Sequence, residues 1–303
     1  MLRYIGASVV ANAFSVTPGT RRSYRSLANG LEIRRRTRTG LPDYYLQRVR
    51  RLISQVEGNL KLGPEDSILE IGTGYVHWES FILRLVADAE TTMFDVVDNR
   101  LFPVFKLYVS QLEPYLETIG LAPERIPAAR AIVDTVQNVT SFEALYAKLS
   151  WRYIIDESGA MGGLPEDHFD FVVSADVLEH IDREILPLFV KKMFRLMRPG
   201  AYTYHFIDLM DHLSNFDPKA SLKLYYRFDG EAWDRWVNSK VQYINRVQRP
   251  GWLELFQQAG FELVSEDAEC GAHGIRRVHP SYSYLSKPEL DTNKLILVFR
   301  KPG

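Results

Sequence analysis

Asp176, Glu179 and His180 stand at i, i+3 and i+4, a spacing that sets three side chains on one side of a helical turn. Such a set can hold a divalent cation, and its carboxylates with imidazole suit magnesium or manganese. His205 could add a fourth ligand from a neighbouring strand, and the cation would then lower the pKa of a bound hydroxyl. Without a cation, His180, His205 and His212 are candidate general bases. His205 is the first choice because it falls near the carboxyl end of a predicted strand, where Asp208 or Asp211 could orient it.

A second group of residues could bind a ligand. Leu69-Glu70-Ile71-Gly72-Thr73-Gly74 reads as a strand ending in a tight turn before a helix. Two glycines let the backbone approach a ligand at the carboxyl edge of a sheet. A dinucleotide site would want a third glycine, and His77 stands at that position. S-adenosylmethionine carries no phosphate, so a turn with fewer glycines suffices, and Glu70 can help hold its ammonium group through the turn. Downstream, Asp95 falls at or near the end of the next strand, where a carboxylate can accept from both ribose hydroxyls. Asp98 competes for that role, and Asp95 is preferred.

These residues need elements to position them. Leu46, Val49, Leu52, Ile53 and Val56 follow helical spacing between Leu41 and Leu60. Strands are predicted at Ser67–Ile71, Thr91–Val97, Trp151–Ile155, Phe169–Ser174 and Ala201–Leu209. Helical patterns fill the intervals at 103–119, at 124–149 and from Asp182 to Met197, the last closing at Arg198-Pro199-Gly200. A helix from Pro250 to Gly260 precedes strands at Phe261–Glu266 and Lys294–Phe299, which a polar loop with Arg276, Arg277 and His279 connects. Alternating strands and helices imply an α/β, mostly parallel sheet covered on both faces.

Phe169 to Ile181, a buried strand followed by Leu178-Glu179-His180, resembles the fourth-strand motif of class I S-adenosylmethionine-dependent methyltransferases. The resemblance covers 66–209 and extends to the closing strands at 261–299. It implies a Rossmann-like sheet of seven strands, with an N-terminal helical cap over residues 1–60 and a methyltransferase domain over 61–303. Within that domain, about 210–250 would form a lid over the acceptor. It also implies a cofactor set of Glu70, Gly72, Thr73, Gly74, Asp95 or Asp98, Asp156 (or Glu157) toward the adenine amine, and Ser174. Val76 departs from it, since many members have another glycine there.

Tyr204 to His212, with Asn245-Arg246, resembles bacterial methyltransferases of polysaccharide or glycosylated natural-product pathways. Asp176, Glu179 and His180 also resemble the Glu-x-x-Glu-His metal site of small-RNA 2′-O-methyltransferases and ubiquinone-pathway O-methyltransferases, with Asp for the first Glu.

The chain has 303 residues, 46% apolar and 12% aromatic, a composition of ordinary globular proteins. One cysteine, Cys270, excludes an intrachain disulfide and a cysteine-built metal site. No apolar run is long enough to span a bilayer. The stretch Ile5–Val16 is short and interrupted for a signal peptide, so the chain reads as cytoplasmic. The net charge of −1 hides eleven arginines against Glu32 and Asp43 within residues 1–52. That block could meet an anionic surface or pair with the acidic body.

The reading is an O-methyltransferase using S-adenosylmethionine on a saccharide hydroxyl or another small, polar natural product. Its rivals are methylation of RNA or another anionic polymer, a non-catalytic S-adenosylmethionine-binding scaffold and, last, a nicotinamide-dependent oxidoreductase.

Overall fold

The computed structural model describes residues 17–217, 219–238 and 243–303, and the stretch Ile5–Val16 lies outside them. Two helices come first, α1 (Pro18–Thr39) and α2 (Asp43–Gln55). Asp43 in the first turn of α2 complements the helix dipole, and Tyr45, Val49, Leu52 and Ile53 form its buried stripe. One wider π turn, Val56–Leu60, follows and ends at Lys61 in the left-handed region. Among the described residues no strand precedes Ser67.

Seven strands follow: β1 (Ser67–Ile71), β2 (Glu90–Asp95), β3 (Trp151–Ile155), β4 (Phe169–Ala175), β5 (Met197–Asp208), β6 (Glu262–Cys270) and β7 (Thr292–Arg300). They form one sheet in the order β3-β2-β1-β4-β5-β7-β6. β1 pairs in parallel with β2 on one side and β4 on the other, with Ile71 opposite both Phe94 and Ser174. Every residue of β1 is buried, Ser67 and Glu70 included, as befits a central strand covered on both faces. The strand order turns at β1, which makes the carboxyl ends of β1, β2 and β4 the natural place for a ligand.

The chain divides into two compact units. The first comprises Asn29–Ala175, Lys192–Tyr204 and Arg300–Gly303. It holds α2, β1 to β4, α3 (Trp78–Val86), α4 (Phe102–Leu112), α5 (Ile126–Asn138) and α6 (Phe142–Leu149). The helical patterns expected over 103–119 and 124–149 break in the structure at Pro114 and at Val139, the latter just before Ser141 caps α6 by accepting from the Ala144 N–H at 3.2 Å.

The second unit comprises, among the described residues, 17–28, 176–191 and those of 205–299. Its elements include α8 (Gly230–Trp236), α9 (Arg249–Gln258), α10 (Lys287–Asp291) and β6. Helix α7 (Leu186–Leu196) begins four residues later than its sequence pattern suggests, because Asp182 makes a turn that accepts from the Ile185 and Leu186 N–H groups. β5 begins at Met197, so Arg198-Pro199-Gly200 lies inside the strand instead of forming an exit turn. Gly200 permits this with φ of +84°, and its N–H donates to the Lys301 carbonyl at 2.9 Å.

Candidate functional site

The glycine turn belongs to the first unit. Gly72 and Gly74 have φ of +74° and +58°, and a Cβ at Gly74 would meet nothing within 4 Å. Backbone is therefore open to a ligand at the end of β1. Asp95 ends β2 beside it, where its Oδ2 accepts from the Gly74 N–H at 3.1 Å and its Oδ1 from the Val96 N–H at 2.7 Å. Burial raises the Asp95 pKa, while those N–H groups draw it down. Asp98 is engaged elsewhere: Arg100 meets both of its oxygens, at 2.9 and 2.7 Å.

Two buried oxygens at this end of the sheet have no hydrogen-bond partner among the described residues, Thr73 Oγ1 and Tyr153 Oη. The Arg100 guanidinium lies 4.5 Å from the centre of the Tyr153 ring. Unsatisfied buried hydroxyls are uncommon, and a pair beside an open glycine turn fits a polar ligand.

Glu70, Asp156 and Ser174 are placed differently from one another. Glu70 is buried and turned toward the start of α3, where its Oε2 accepts from the Ser80 N–H at 3.1 Å and from the Ser80 hydroxyl. Burial, with Glu79 nearby, pushes its pKa up to about 8. Any hold on a ligand's ammonium group thus passes through the turn and not by direct contact. Asp156 follows β3, and its Oδ1 accepts from the Ser158 N–H at 3.0 Å. Ser174 is buried on β4.

His77, at the position of the missing third glycine, is buried at the start of α3. It is the N-cap of α3 with φ of +42°, and its Nε2 lies 2.5 Å from Tyr146 Oη. Phe142 and Tyr153 pack on the same ring, and burial drives its pKa down to about 3. A bulky neutral ring fills the place that a third glycine would leave for close packing.

The histidine and carboxylate group belongs to the second unit. Asp176 takes φ of +56°, and Leu178–His180 forms a 3-10 turn. The expected single helical face over 176–180 is therefore absent. Asn245 clamps the turn from afar: its Nδ2 donates to the carbonyls of Leu178 (2.8 Å) and Ile181 (3.1 Å), and its N–H to that of Glu179 (2.8 Å). His180 Nδ1 lies 2.7 Å from the Tyr243 carbonyl, which leaves Nε2 as the free ring nitrogen.

Among the described residues, the set able to hold a metal ion is Glu179, His180 and His212, whose ligand atoms lie within 4.8 Å of one another. Neither Asp176 nor His205 belongs to it. Asp176 has a left-handed backbone, and His205 is fully buried with its ring 5.0 Å from that of Phe256. Burial pushes the His205 pKa down to about 3, which makes it a poor proton acceptor.

His212 takes the position expected of His205. Its Nε2 lies 3.5 Å from Asp208 Oδ2, and its ring 4.9 Å from that of His180. Burial pulls the His212 pKa down, but the hydrogen bond and charge of Asp208, with Asp176 and Asp211, raise it on balance. Glu179 is buried, its Oε1 accepts from the Asp208 N–H at 3.3 Å, and its Oε2 has no partner among the described residues. Burial together with the charges of Asp176 and Asp208 raises its pKa well above the carboxylate range.

The aromatic residues of 210–250 mostly pack. Tyr225, Tyr226 and Trp233 are buried in one apolar cluster with Tyr282 and Leu285, whereas Trp236 is exposed. No described helix is long and apolar enough to cross a membrane.

The model of one family, the methyltransferase domain, matches residues 41–266. No curated protein gives a match. Among solved structures, the 1,6-didemethyltoxoflavin-N1-methyltransferase of Burkholderia thailandensis, bound to 1,6-didemethyltoxoflavin and S-adenosylhomocysteine, is 14% identical. That likeness covers 95% of this chain and 92% of that one at a TM-score of 0.47. Phosphoethanolamine N-methyltransferase 2 of Haemonchus contortus, in complex with S-adenosyl-L-methionine, is 13% identical over 84% of this chain and 52% of that one, at a TM-score of 0.46. A SAM-dependent methyltransferase of Methanosarcina mazei is 16% identical over 82% and 97% of the two chains, at 0.43. These likenesses are too low to carry a role for any residue. The family model, by contrast, runs through both the glycine turn and the glutamate–histidine group, and on that match the chain belongs to the methyltransferase-domain family and is a methyltransferase.

Proposed function

We propose that the chain is an S-adenosylmethionine-dependent O-methyltransferase whose acceptor is a hydroxyl of a sugar or a related polar natural product. The observation that carries the O-methyl reading is the His212–Asp208 pair beside buried Glu179. A hydroxyl must lose its proton during transfer, and a base positioned for this contributes about 10²–10⁴-fold. With Nε2 turned to Asp208, Nδ1 of His212 is the atom left to take that proton. Asp208 orients the ring and stabilises its protonated form.

Cofactor binding is supported by the open Gly74, by Asp95 at the end of β2 and by the unpartnered oxygens of Thr73 and Tyr153. S-adenosylmethionine, when bound, supplies a methyl group already activated on a sulfonium. The work left to the chain is to orient the acceptor, exclude water and hold the proton.

A second reading, a divalent cation on Glu179, His180 and His212, is favoured by the bare Oε2 of Glu179. Neutral imidazole and carboxylate suit magnesium or manganese, which would lower the acceptor hydroxyl's pKa directly. Calorimetry with S-adenosylhomocysteine and with NAD tests the cofactor. Turnover to S-adenosylhomocysteine across a panel of sugars and glycosides tests the acceptor. Binding of NAD in place of S-adenosylhomocysteine would overturn the proposal.

A further inference from the structure

A cavity of about 380 Å³ in the second unit is lined by Lys219, Arg227, Arg276 and Arg277, together with Ser221 and Gly274 among others, and by no aspartate or glutamate among the described residues. None of the four cations forms an ion pair with a carboxylate among the described residues, whereas Arg36, Arg48, Arg100, Arg125 and Arg249 all do. Four like charges gathered around one concavity repel each other until an anion enters.

The two segments that carry these cations are fixed to one another. The Ser221 hydroxyl donates to the His273 carbonyl and accepts from the Lys223 N–H at 3.0 Å. The Ile275 N–H donates to His273 Nδ1 at 3.0 Å, and the His279 N–H to the Tyr226 carbonyl at 2.8 Å. Beneath them Ala220, Leu224, Phe228 and Ile275 pack with the apolar cluster around Tyr226. Gly274 has φ of +68° and open space where a Cβ would stand, so its backbone is exposed to whatever occupies the cavity.

We propose that this cavity binds the phosphate or diphosphate group of the acceptor, so that the methyl acceptor is a phosphorylated or nucleotide-linked small molecule. This rests on the methyltransferase reading above and narrows its substrate class. Three arginines offer planar forks that match phosphate oxygens two at a time, and four positive charges exceed what a single carboxylate would need. The volume admits the phosphate and part of the group attached to it. An extended polymer would call for a track of cations along a surface, and these four line one cavity.

The test is calorimetry at low salt with inorganic phosphate and with pyrophosphate, on the full chain and on Arg276→Ala, Arg277→Ala and the double variant. Arg235→Ala, an exposed arginine outside the cavity, is the control. Each cavity substitution should weaken anion binding about ten-fold, the double variant more, and the control not at all. Tighter binding of pyrophosphate assigns a diphosphate, and tighter binding of phosphate a monoester. S-adenosylhomocysteine should bind every variant equally. Its failure to bind even the wild type would refute the methyltransferase reading while leaving the anion result to stand alone. Equal anion affinity in wild type and double variant would overturn the proposal. So would binding of an RNA oligonucleotide through these arginines with neither inorganic anion bound.

Discussion

His212 Nε2 stands 3.5 Å from Asp208 Oδ2, one helical turn apart in sequence, although the intervening chain is a strand end and a short turn. Beside the pair lies a buried carboxyl, Glu179, whose pKa burial and the charges of Asp176 and Asp208 raise. His212→Asn should lower kcat by about 10²–10⁴-fold and leave S-adenosylhomocysteine affinity within two-fold, about the range for losing a positioned base. Asp208→Asn should lose less, because the ring remains and only its orientation and charge support are gone. Steady-state kinetics beside calorimetry checks both, and full activity in His212→Asn would leave positioning as the only source of catalysis.

Chelation separates the base from the cation. On the base mechanism, dialysis against EDTA leaves the rate unchanged and Glu179→Gln costs little. Activity that vanishes with EDTA and returns with magnesium or manganese would move the assignment to the Glu179, His180 and His212 set.

Asp95→Ala should weaken S-adenosylhomocysteine binding about ten- to hundred-fold, the cost of about 1.5–3 kcal/mol for hydrogen bonds to a charged group. Asp98→Ala should have the smaller effect, since both oxygens of Asp98 are taken by Arg100. An equal loss in the two variants, measured by calorimetry, would contradict the choice of Asp95.

Lys223 offers a pH signature. It is buried, bonded to Tyr225 Oη at 3.1 Å and Gln248 Oε1 at 3.3 Å, and burial pulls its pKa down from 10.5 to about 7. Between those values the unfolded chain holds a proton that the folded chain has released, so this group's contribution to stability rises with pH. The stability of wild type minus that of Lys223→Met should therefore climb from pH 7 to pH 9, by about 1.4 kcal/mol per pH unit at most. Denaturant titrations at both pH values measure it, and a difference that stays flat would refute the depressed pKa.

What could be read in advance follows the range of the forces involved. The buried run of β1, the turn at Gly72 and Gly74 and the acid at Asp95 are local, and each lies where its pattern places it. The start of β5 was obscured because Pro199 and Gly200 usually end structure, yet Gly200 supplies the left-handed step that lets the strand continue. Choosing between His205 and His212 depended on Phe256, whose ring packs on the first, and on Asp208, which pairs with the second. The roles of Asn245 on Leu178 and of Tyr146 on His77 depend on partners 67 and 69 residues away, beyond the reach of periodicity.

The aromatic cluster around Tyr226 and Trp233 has a consequence for hydrogen exchange. Its members come from 3-10 turns, a short helix and loops, and none from a strand. No sheet ladder holds their amides closed, so their protection must come from side-chain packing and from scattered bonds such as the His279 N–H to the Tyr226 carbonyl. Loss of one large ring removes packing from all its neighbours at once. The amides of Tyr226, Trp233 and His279 are thus expected to exchange as one cooperative foldon, with a single opening free energy and a shared dependence on denaturant, below that of the β1 amides.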